Sequence, residues 1–419
     1  MKKLILKIAM LILLAFLINR AAYSANEHFR SVNSGNWNLN STWQMSTNGG
    51  GTWFAATSTP TDTSGPITIQ SPNTVTVSVN VNADQLTVNN GGVISINTSV
   101  IFTLKDGSAE DLLLNPGGIV SGAGTFQTQG TEVSINVRNG STFSAALKVN
   151  TGKLTSYDIS SPNIAYYNGT ITIDAGAVLN VLNGGYRIQA RNNVTNNGEI
   201  TSSSTGIFYM SGLSLINNDT IKGGIVVFDD TTSLSGTGAY TSNEISISGT
   251  GRVSLANNLT FSPSASFTVN NGGVLNPNTR TFTLNRGSFF LISGGMVLNS
   301  GIFQTQSTVS LIIKNGSNFN APLKVNSGTT SSYDDGSPFI ANYNGTLTID
   351  AGATFTTQAG GYTNRIYGSV TNNGTISGNN FIMRGPSLTN NGSISSSNFQ
   401  FDSVTSVTST GTYTSSTIT

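Results

Sequence analysis

The chain of 419 residues contains no cysteine, which excludes disulfide bonds, thiolate nucleophiles and thiolate metal ligands. Charged residues are also scarce, at 9% of the chain with a net charge of +1, and they form no basic stripe. This composition argues against nucleic acid as a partner. Stability must therefore come from buried apolar side chains and backbone pairing, which a chain of this length can supply without covalent cross-links.

Only the N terminus carries a long apolar run. Three lysines within the first seven residues precede the uncharged run 8–18, and the small residues Ala22 and Ser24 precede a cleavage position before Ala25. This pattern is typical of a secretory signal peptide, here residues 1–24, and the run is too short to span a bilayer comfortably. We therefore predict a mature chain that is extracellular or on the outer cell surface, with no membrane span after cleavage.

Short segments of alternating polar and apolar residues fill the rest of the chain. Examples are "TVTVSVNV" at 74–81 and "QLTVNNGGVISI" at 85–96, which are interrupted by Asn-Gly and Gly-Gly. Alternation with period 2 predicts strands with one buried face, and these dipeptides predict tight turns. We therefore expect an all-β protein.

The sequence repeats itself on two scales. "NGTITIDAGA" at 168–177 returns as "NGTLTIDAGA" at 344–353, and the match extends along blocks 66–251 and 252–419. Within a block, turns recur about every 20 residues, which is typical of a solenoid. We predict a right-handed parallel β-helix, with a string of β-sandwiches as the disfavoured alternative because no linker is visible.

The ten-residue repeat predicts local details. Ile171 and Ile173 should face inward, with Asp174 and Gly176 in the turn, and turn asparagines should form amide ladders between coils. The structural interpretation is a duplicated block of coils, and the alternative is two copies of a binding site.

Residues 25–65 differ from the blocks because they contain all three tryptophans, Trp37, Trp43 and Trp53. We interpret the segment as a cap over the first coil, since a solenoid must cover its open strand edge. The alternative is an aromatic platform that stacks on sugar rings. The second block stops in mid-strand at Thr419, which predicts a fragment of a longer protein. The alternative is a chain whose bare last coil allows end-to-end self-association.

The order "GNWNLNSTWQMSTNGGGTWFAA", then "PITIQSPNTVTVSVNVNADQLTVNNGGVISI", resembles the start of large secreted or surface β-helix proteins of Bacteroidetes-type bacteria. Many such proteins are adhesin-like substrates of the type IX secretion system. The resemblance implies an exported β-helix with an adhesive role. Family members usually end in a β-sandwich sorting domain, and no such domain is visible here.

Because many β-helices cleave polysaccharides, pairs of adjacent acids are candidate catalytic groups. None of the pairs recurs in both blocks. The sequence also lacks the galacturonase motifs GHG and RIK, the GxSxG nucleophile motif and the calcium-binding nonapeptide repeat. We predict that the protein is not an enzyme and that it binds no metal and no cofactor. The alternative is a polysaccharide-binding or polysaccharide-degrading protein (lyase-like or glycosidase-like). The pairs are Glu110 with Asp111, Asp229 with Asp230, and Asp334 with Asp335.

The connection 148–169 recurs at 324–345, and both copies read as a protruding loop with two tyrosines and an acid. Such a loop could hold a glycan or a matrix component by stacking and hydrogen bonding, whereas the alternative is a duplicated loop without function. Thr-x-Thr tripeptides also suggest ice binding, but they do not occur once per coil. We therefore predict a structural or adhesive protein. The candidate loop residues are Tyr157, Asp158 and Tyr167, with Tyr333, Asp334 and Tyr343 in the second copy.

Overall fold

Strands account for 56% of the computed structural model and helix for 1%, as the period-2 alternation predicts. The structure describes residues 27–107, 109–403 and 406–419, so the predicted signal peptide lies outside the described residues. The chain forms two units, Met1–Leu182 with Tyr186–Ile188, and Asn183–Gly185 with Gln189–Thr419. Each unit is a parallel β-solenoid, and together they comprise about 17 turns, which confirms the predicted solenoid.

In the first unit three strands make one coil, and each strand pairs in parallel with the strand one coil later. Ile67 pairs with Leu86, and Leu86 pairs with Leu112. The strands of this unit are β1 (His28–Ser31), β2 (Gly35–Asn36), β3 (Trp43–Ser46), β4 (Phe54–Ala55), β5 (Ile67–Ile69), β6 (Thr74–Val77), β7 (Val81–Ala83), β8 (Leu86–Val88), β9 (Val93–Ile96), β10 (Ile101–Lys105), β11 (Leu112–Leu114), β12 (Ile119–Gly122), β13 (Thr125–Val137), β14 (Thr142–Phe143), β15 (Ala146–Tyr157), β16 (Ile164–Tyr167), β17 (Ile171–Ile173) and β18 (Val178–Val181).

The coils of the first unit differ in length. One coil runs from Ile67 to its partner Leu86, and the next, which is longer, runs from Leu86 to Leu112. The longer coil contains the connection between β10 and β11, so the additional residues leave the strand register intact.

The predicted N-terminal cap is present. Strand β1 pairs antiparallel with β3 and parallel with β5 of the first coil, and β3 pairs antiparallel with β4. A 3-10 turn (Asn40–Thr42) leads into β3. The Trp37 indole N–H donates to the carbonyl of Pro60 (3.0 Å), and the Trp43 N–H donates to the carbonyl of Trp37 (2.8 Å), which satisfies both buried donors.

A column of aromatic side chains runs through the core of this unit. Ring centroids are separated by 5.2 Å from Trp37 to Phe102, 5.1 Å to Phe126, 5.2 Å to Phe143 and 5.0 Å to Tyr167. Each such contact adds about 0.5–1.5 kcal/mol beyond area burial. The column joins the cap to the coils.

The alternation predicted for the ten-residue repeat is confirmed. Ile171 and Ile173 are buried, whereas Thr172 between them remains accessible. Gly176 has a φ of 77° in the turn that follows Asp174, a conformation that favours glycine.

The second unit repeats the three-strand plan, and its coils also differ in length, with a short one from Val370 to Leu388 and a longer one from Leu323 to Leu347. The strands are β19 (Arg187–Ala190), β20 (Val194–Asn196), β21 (Glu199–Met210), β22 (Ser214–Asn217), β23 (Thr220–Phe228), β24 (Thr231–Ser235), β25 (Ala239–Ile247), β26 (Arg252–Leu255), β27 (Leu259–Phe261), β28 (Ser266–Val269), β29 (Val274–Asn276), β30 (Thr281–Leu284), β31 (Gly287–Leu291), β32 (Met296–Val297), β33 (Ile302–Thr305), β34 (Val309–Ile313), β35 (Asn318–Phe319), β36 (Leu323–Val325), β37 (Thr329–Tyr333), β38 (Ile340–Tyr343), β39 (Leu347–Ile349), β40 (Thr354–Thr357), β41 (Thr363–Ile366), β42 (Val370–Asn372), β43 (Thr375–Met383), β44 (Ser387–Asn390), β45 (Ser393–Phe401), β46 (Ser406–Ser409), β47 (Thr412–Tyr413) and β48 (Thr417–Ile418).

The two sequence blocks are offset by one face of the coil within this unit. Val194 lies in β20, which within this unit is the first strand of a stack that continues through β22, β24, β26, β29, β32, β35 and β38 to β41. Its counterpart Val370 lies in β42, which pairs with β39 and belongs to a different stack, the one whose first strand in this unit is β21. The duplicated block is therefore not a whole number of coils, and within this unit equivalent residues point in different directions from the axis.

Amide ladders predicted from the turn asparagines are also present. Asn196 Nδ2 donates to Asn217 Oδ1 (2.7 Å), and in the second block Asn372 Nδ2 donates to Asn390 Oδ1 (2.8 Å). All four side chains are fully buried, so each bond satisfies a polar group that water cannot reach.

Six aromatic side chains form the corresponding column of the second unit, with neighbouring centroids 4.6–5.2 Å apart. The stacks continue through position 251, so the boundary between blocks does not interrupt strand pairing. The column consists of Tyr240, Phe261, Phe282, Phe303, Phe319 and Tyr343.

Candidate functional site

The two recurring connections are shorter than the sequence predicts. Most of 148–169 belongs to β15 and β16, and only residues 158–163 lie between them, which we call loop 1. The equivalent loop 2 comprises residues 334–339, between β37 and β38. The prediction of a long loop was wrong because the polar residues before Tyr157 are the outward-facing half of a strand.

An aspartate anchors each loop to the coil before it. Asp158 Oδ2 accepts a hydrogen bond from the backbone N–H of Asn139 (3.0 Å), and Asp334 Oδ2 accepts one from Asn315 (3.0 Å). Each carboxylate also accepts a backbone N–H within its own loop, at 2.8 Å and 2.9 Å. Both side chains are fully buried, so they hold the loops in place and are not exposed to a ligand.

The second tyrosine of each copy is a core residue. Tyr167 and Tyr343 are buried, and their hydroxyls lie 2.6 Å from Ser156 Oγ and 2.5 Å from Ser332 Oγ. Burial raises the pKa of both phenols above the usual value, although the serine bond opposes the change. These tyrosines and the loop aspartates are therefore structural, which corrects their assignment as ligand-binding residues.

The first tyrosine of each copy is half-exposed. Tyr157 donates its hydroxyl to Glu110 Oε1 (2.7 Å), and its ring lies 6.1 Å from that of Tyr186. Burial, followed by the bond to Glu110, raises the pKa of Tyr157. At loop 1 the accessible surface thus combines two phenols and a carboxylate.

Loop 2 carries a larger aromatic surface. The Tyr333 and Tyr362 centroids are 5.4 Å apart, and Phe339 lies 5.7 Å from Tyr362 with 44% of its surface exposed. Lys314 and Asp335 form an ion pair beside these rings. Burial, then the charge of Asp335, raises the pKa of Tyr333, which keeps its phenol protonated.

Sequence reasoning did not single out Tyr186, Tyr362 or Phe339. A signal for the two tyrosines exists, because Gly-Gly-Tyr follows both loops and places Tyr186 after Tyr157 at the same interval as Tyr362 after Tyr333. No repeat marks Phe339, since the first copy has Asn163 at that position.

Ion pairs connect each copy of the ten-residue repeat to the lysine that begins the recurring connection. Lys148 Nζ lies 3.0 Å from Asp174 Oδ2, and Lys324 Nζ lies 3.1 Å from Asp350 Oδ2. Each aspartate follows its lysine at the same interval in the sequence. All four side chains are about one-third exposed, so the pairs contribute little to stability.

Of the acid pair Glu110 and Asp111, only Asp111 belongs to a buried carboxyl cluster, whereas Glu110 is half-exposed. Asp111 accepts backbone N–H groups of Ser134 (2.7 Å) and Gly107 (2.8 Å), and it is hydrogen-bonded to Asp84. Burial first, then this bond, raises the pKa of Asp84 to about 7. The arrangement joins two successive coils, since Asp84 and Asp111 precede paired strands.

The acid pair Asp229 and Asp230 lines a shallow groove of about 350 Å³ together with Gln189, Arg191 and Ser211. Ser211 Oγ donates to Asp229 Oδ1 (2.6 Å), and the Gln189 amide donates to Ser211 Oγ (2.8 Å). Burial raises the pKa of Asp229, whereas the serine bond opposes the change. Neighbouring side chains therefore satisfy the more buried carboxylate.

The tryptophans occupy different environments. Trp37 and Trp43 are buried in the cap and present no ring face to solvent, which corrects their assignment to a sugar-stacking platform. Trp53 is half-exposed, with the Arg30 guanidinium 4.3 Å from its ring centroid. One face of Trp53 is thus covered by a cation.

The chain matches no protein-family model and no curated protein. Within the described ranges, no helix has the length and apolarity needed to cross a bilayer, and no group of three potential metal-binding side chains occurs. The candidate site therefore rests on the geometry of the two loops.

Proposed function

We propose that this chain is an exported, non-enzymatic β-solenoid with a structural or adhesive role, which holds glycans at aromatic side chains beside loops 1 and 2. The observation that carries the proposal is a loop scaffold built twice from the same anchors. In both copies a buried aspartate and a buried tyrosine fix the loop, while Tyr157 or Tyr333 lies outside next to a second tyrosine. Tyrosine rings on a rigid frame are suited to stacking on sugars.

The environment of the candidate acids supports a non-enzymatic role. Asp111 and Asp334 accept backbone N–H groups, Glu110 accepts the Tyr157 hydroxyl, and Asp335 pairs with Lys314. A general acid and base must face a common substrate position, whereas each of these groups already has a structural partner.

The N-terminal pattern and the resemblance to secreted β-helix proteins support export to the cell surface or the medium. The scarcity of charge suits glycans or matrix components better than nucleic acid as partners.

The neighbours of the outward threonines argue against ice binding. Thr172 has Lys148 beside it on the preceding coil, and Thr348 has Lys324 in the same relation. Ice binding needs a regular threonine array, which these lysine neighbours interrupt.

The test is a binding and cleavage screen of the chain lacking residues 1–24 against soluble and insoluble polysaccharides. We expect retention on at least one polysaccharide without new reducing or unsaturated ends. Release of such ends would overturn the non-enzymatic assignment, and absence of binding across the panel would overturn the adhesive one. A thermal hysteresis measurement on the same sample should show no activity.

A further inference from the structure

Resting on the proposed glycan-binding function, we infer that Tyr333, Phe339 and Tyr362 form a subsite for an uncharged pyranose ring. Phe339 is the residue that distinguishes this subsite from its copy at loop 1, where Asn163 takes the equivalent position.

The backbone at Phe339 is unfavourable for a large side chain. Its φ is 63°, in the left-handed region, and Asn163 at loop 1 has the same φ of 63°. Asparagine adopts this conformation readily, whereas an aromatic residue does so at a cost. Phe339 is also 44% exposed, so folding alone favours asparagine at this position. Strain combined with an exposed aromatic ring is typical of a binding surface.

The ring geometry suits a saturated ring. Tyr333 and Tyr362 are inclined at 55°, and Phe339 and Tyr362 at 85°. The three rings therefore do not form one plane on which a large flat ligand could stack. They offer faces and edges in several directions, which the C–H groups of a puckered pyranose can contact.

The charges at the subsite select against an ionic ligand. Lys314 and Asp335 neutralise each other, so neither an acidic nor a basic group gains a free counter-charge there. Both side chains are partly exposed and can exchange hydrogen bonds with sugar hydroxyls. An uncharged glycan is thus the class of ligand that fits.

Loop 1 provides the contrast. Its Tyr157 hydroxyl is engaged by Glu110, Asn163 replaces the phenylalanine, and Ile159 replaces Asp335. This copy therefore has two rings where loop 2 has three, and it has no lysine–aspartate pair at the equivalent positions, because Ile159 has no charge.

The experiment uses Phe339→Asn, which gives loop 2 the residue of loop 1. Because asparagine suits the backbone, we expect an equal or higher Tm together with about tenfold weaker binding of neutral glucan or mannan oligosaccharides. Phe54→Asn is the matched control, since Phe54 is 58% exposed in the cap, and it should leave binding unchanged. Tyr362→Ala provides a second variant and should also weaken binding.

The outcomes separate the two proposals. If wild type binds neutral glycans and both Phe339→Asn and Tyr362→Ala bind equally well, the subsite is wrong while the adhesive function stands. If wild type binds polygalacturonate oligosaccharides and no neutral oligosaccharide, the assignment of an uncharged ligand is wrong. If wild type binds no glycan, the proposed function itself fails.

Discussion

Replacing Asp84 with asparagine should stabilise the protein at neutral and alkaline pH. Asp84 is 6% exposed and hydrogen-bonded to Asp111, which accepts two backbone N–H groups as well. Burial, the bond to Asp111 and the charges of Asp111 and Asp106 all raise the pKa of Asp84, to about 7, while the Gln85 N–H opposes them. In the folded solenoid Asp84 therefore keeps its proton up to about pH 7.

The direction in which stability changes with pH follows from proton binding at Asp84. Between pH 3.8, the usual pKa of a free aspartate, and pH 7, the folded chain holds a proton at Asp84 that the unfolded chain has lost. The contribution of Asp84 to wild-type stability consequently falls as the pH rises through this window and levels off above it. At about 1.4 kcal/mol per pKa unit the full effect is about 4 kcal/mol, and screening by nearby water reduces it to roughly 2 kcal/mol.

The assay is chemical denaturation of the mature chain and of Asp84→Asn at pH 4.5, 6 and 8. Asparagine cannot ionise, so the midpoint difference between the two proteins should grow in favour of the variant as the pH rises. Asp219→Asn at an exposed turn is the control and should follow wild type. Parallel pH profiles for wild type and Asp84→Asn would refute the reasoning.

Three further predictions concern the second unit. Tyr343→Phe removes the hydroxyl next to Ser332 and should cost about 1 kcal/mol in denaturant, and an unchanged midpoint would contradict a stabilising bond. Lys324→Met breaks the pair with Asp350, which is about one-third exposed, and should cost less than about 1 kcal/mol, a difference that high salt abolishes; a larger or salt-independent loss would argue against a surface pair. Asn372→Ala leaves its buried ladder neighbour without a donor and should lower stability by about 1–3 kcal/mol by the same denaturation assay, whereas a neutral result would mean that water replaces the amide.

Local sequence determined the fold class and its details within a coil. The inward positions of Ile171 and Ile173, the turn at Gly176 and the buried asparagines follow from period-2 alternation and turn chemistry, which act over a few residues. Trp37 and Trp43 similarly marked the cap, because large apolar rings in a polar segment need a core to cover them.

Tertiary structure alone decided which side chains meet between coils. Coils vary in length, as the short step from Val370 to Leu388 and the long step from Leu86 to Leu112 show, so the neighbours of a side chain depend on the accumulated register and not on any local pattern. For this reason the sequence did not reveal that Asp158 is a buried anchor, that Phe339 lies beside Tyr362, or that the duplicated block is displaced by one face. The strand pairs fix these relations because each parallel ladder admits a single alignment once its inward face is buried.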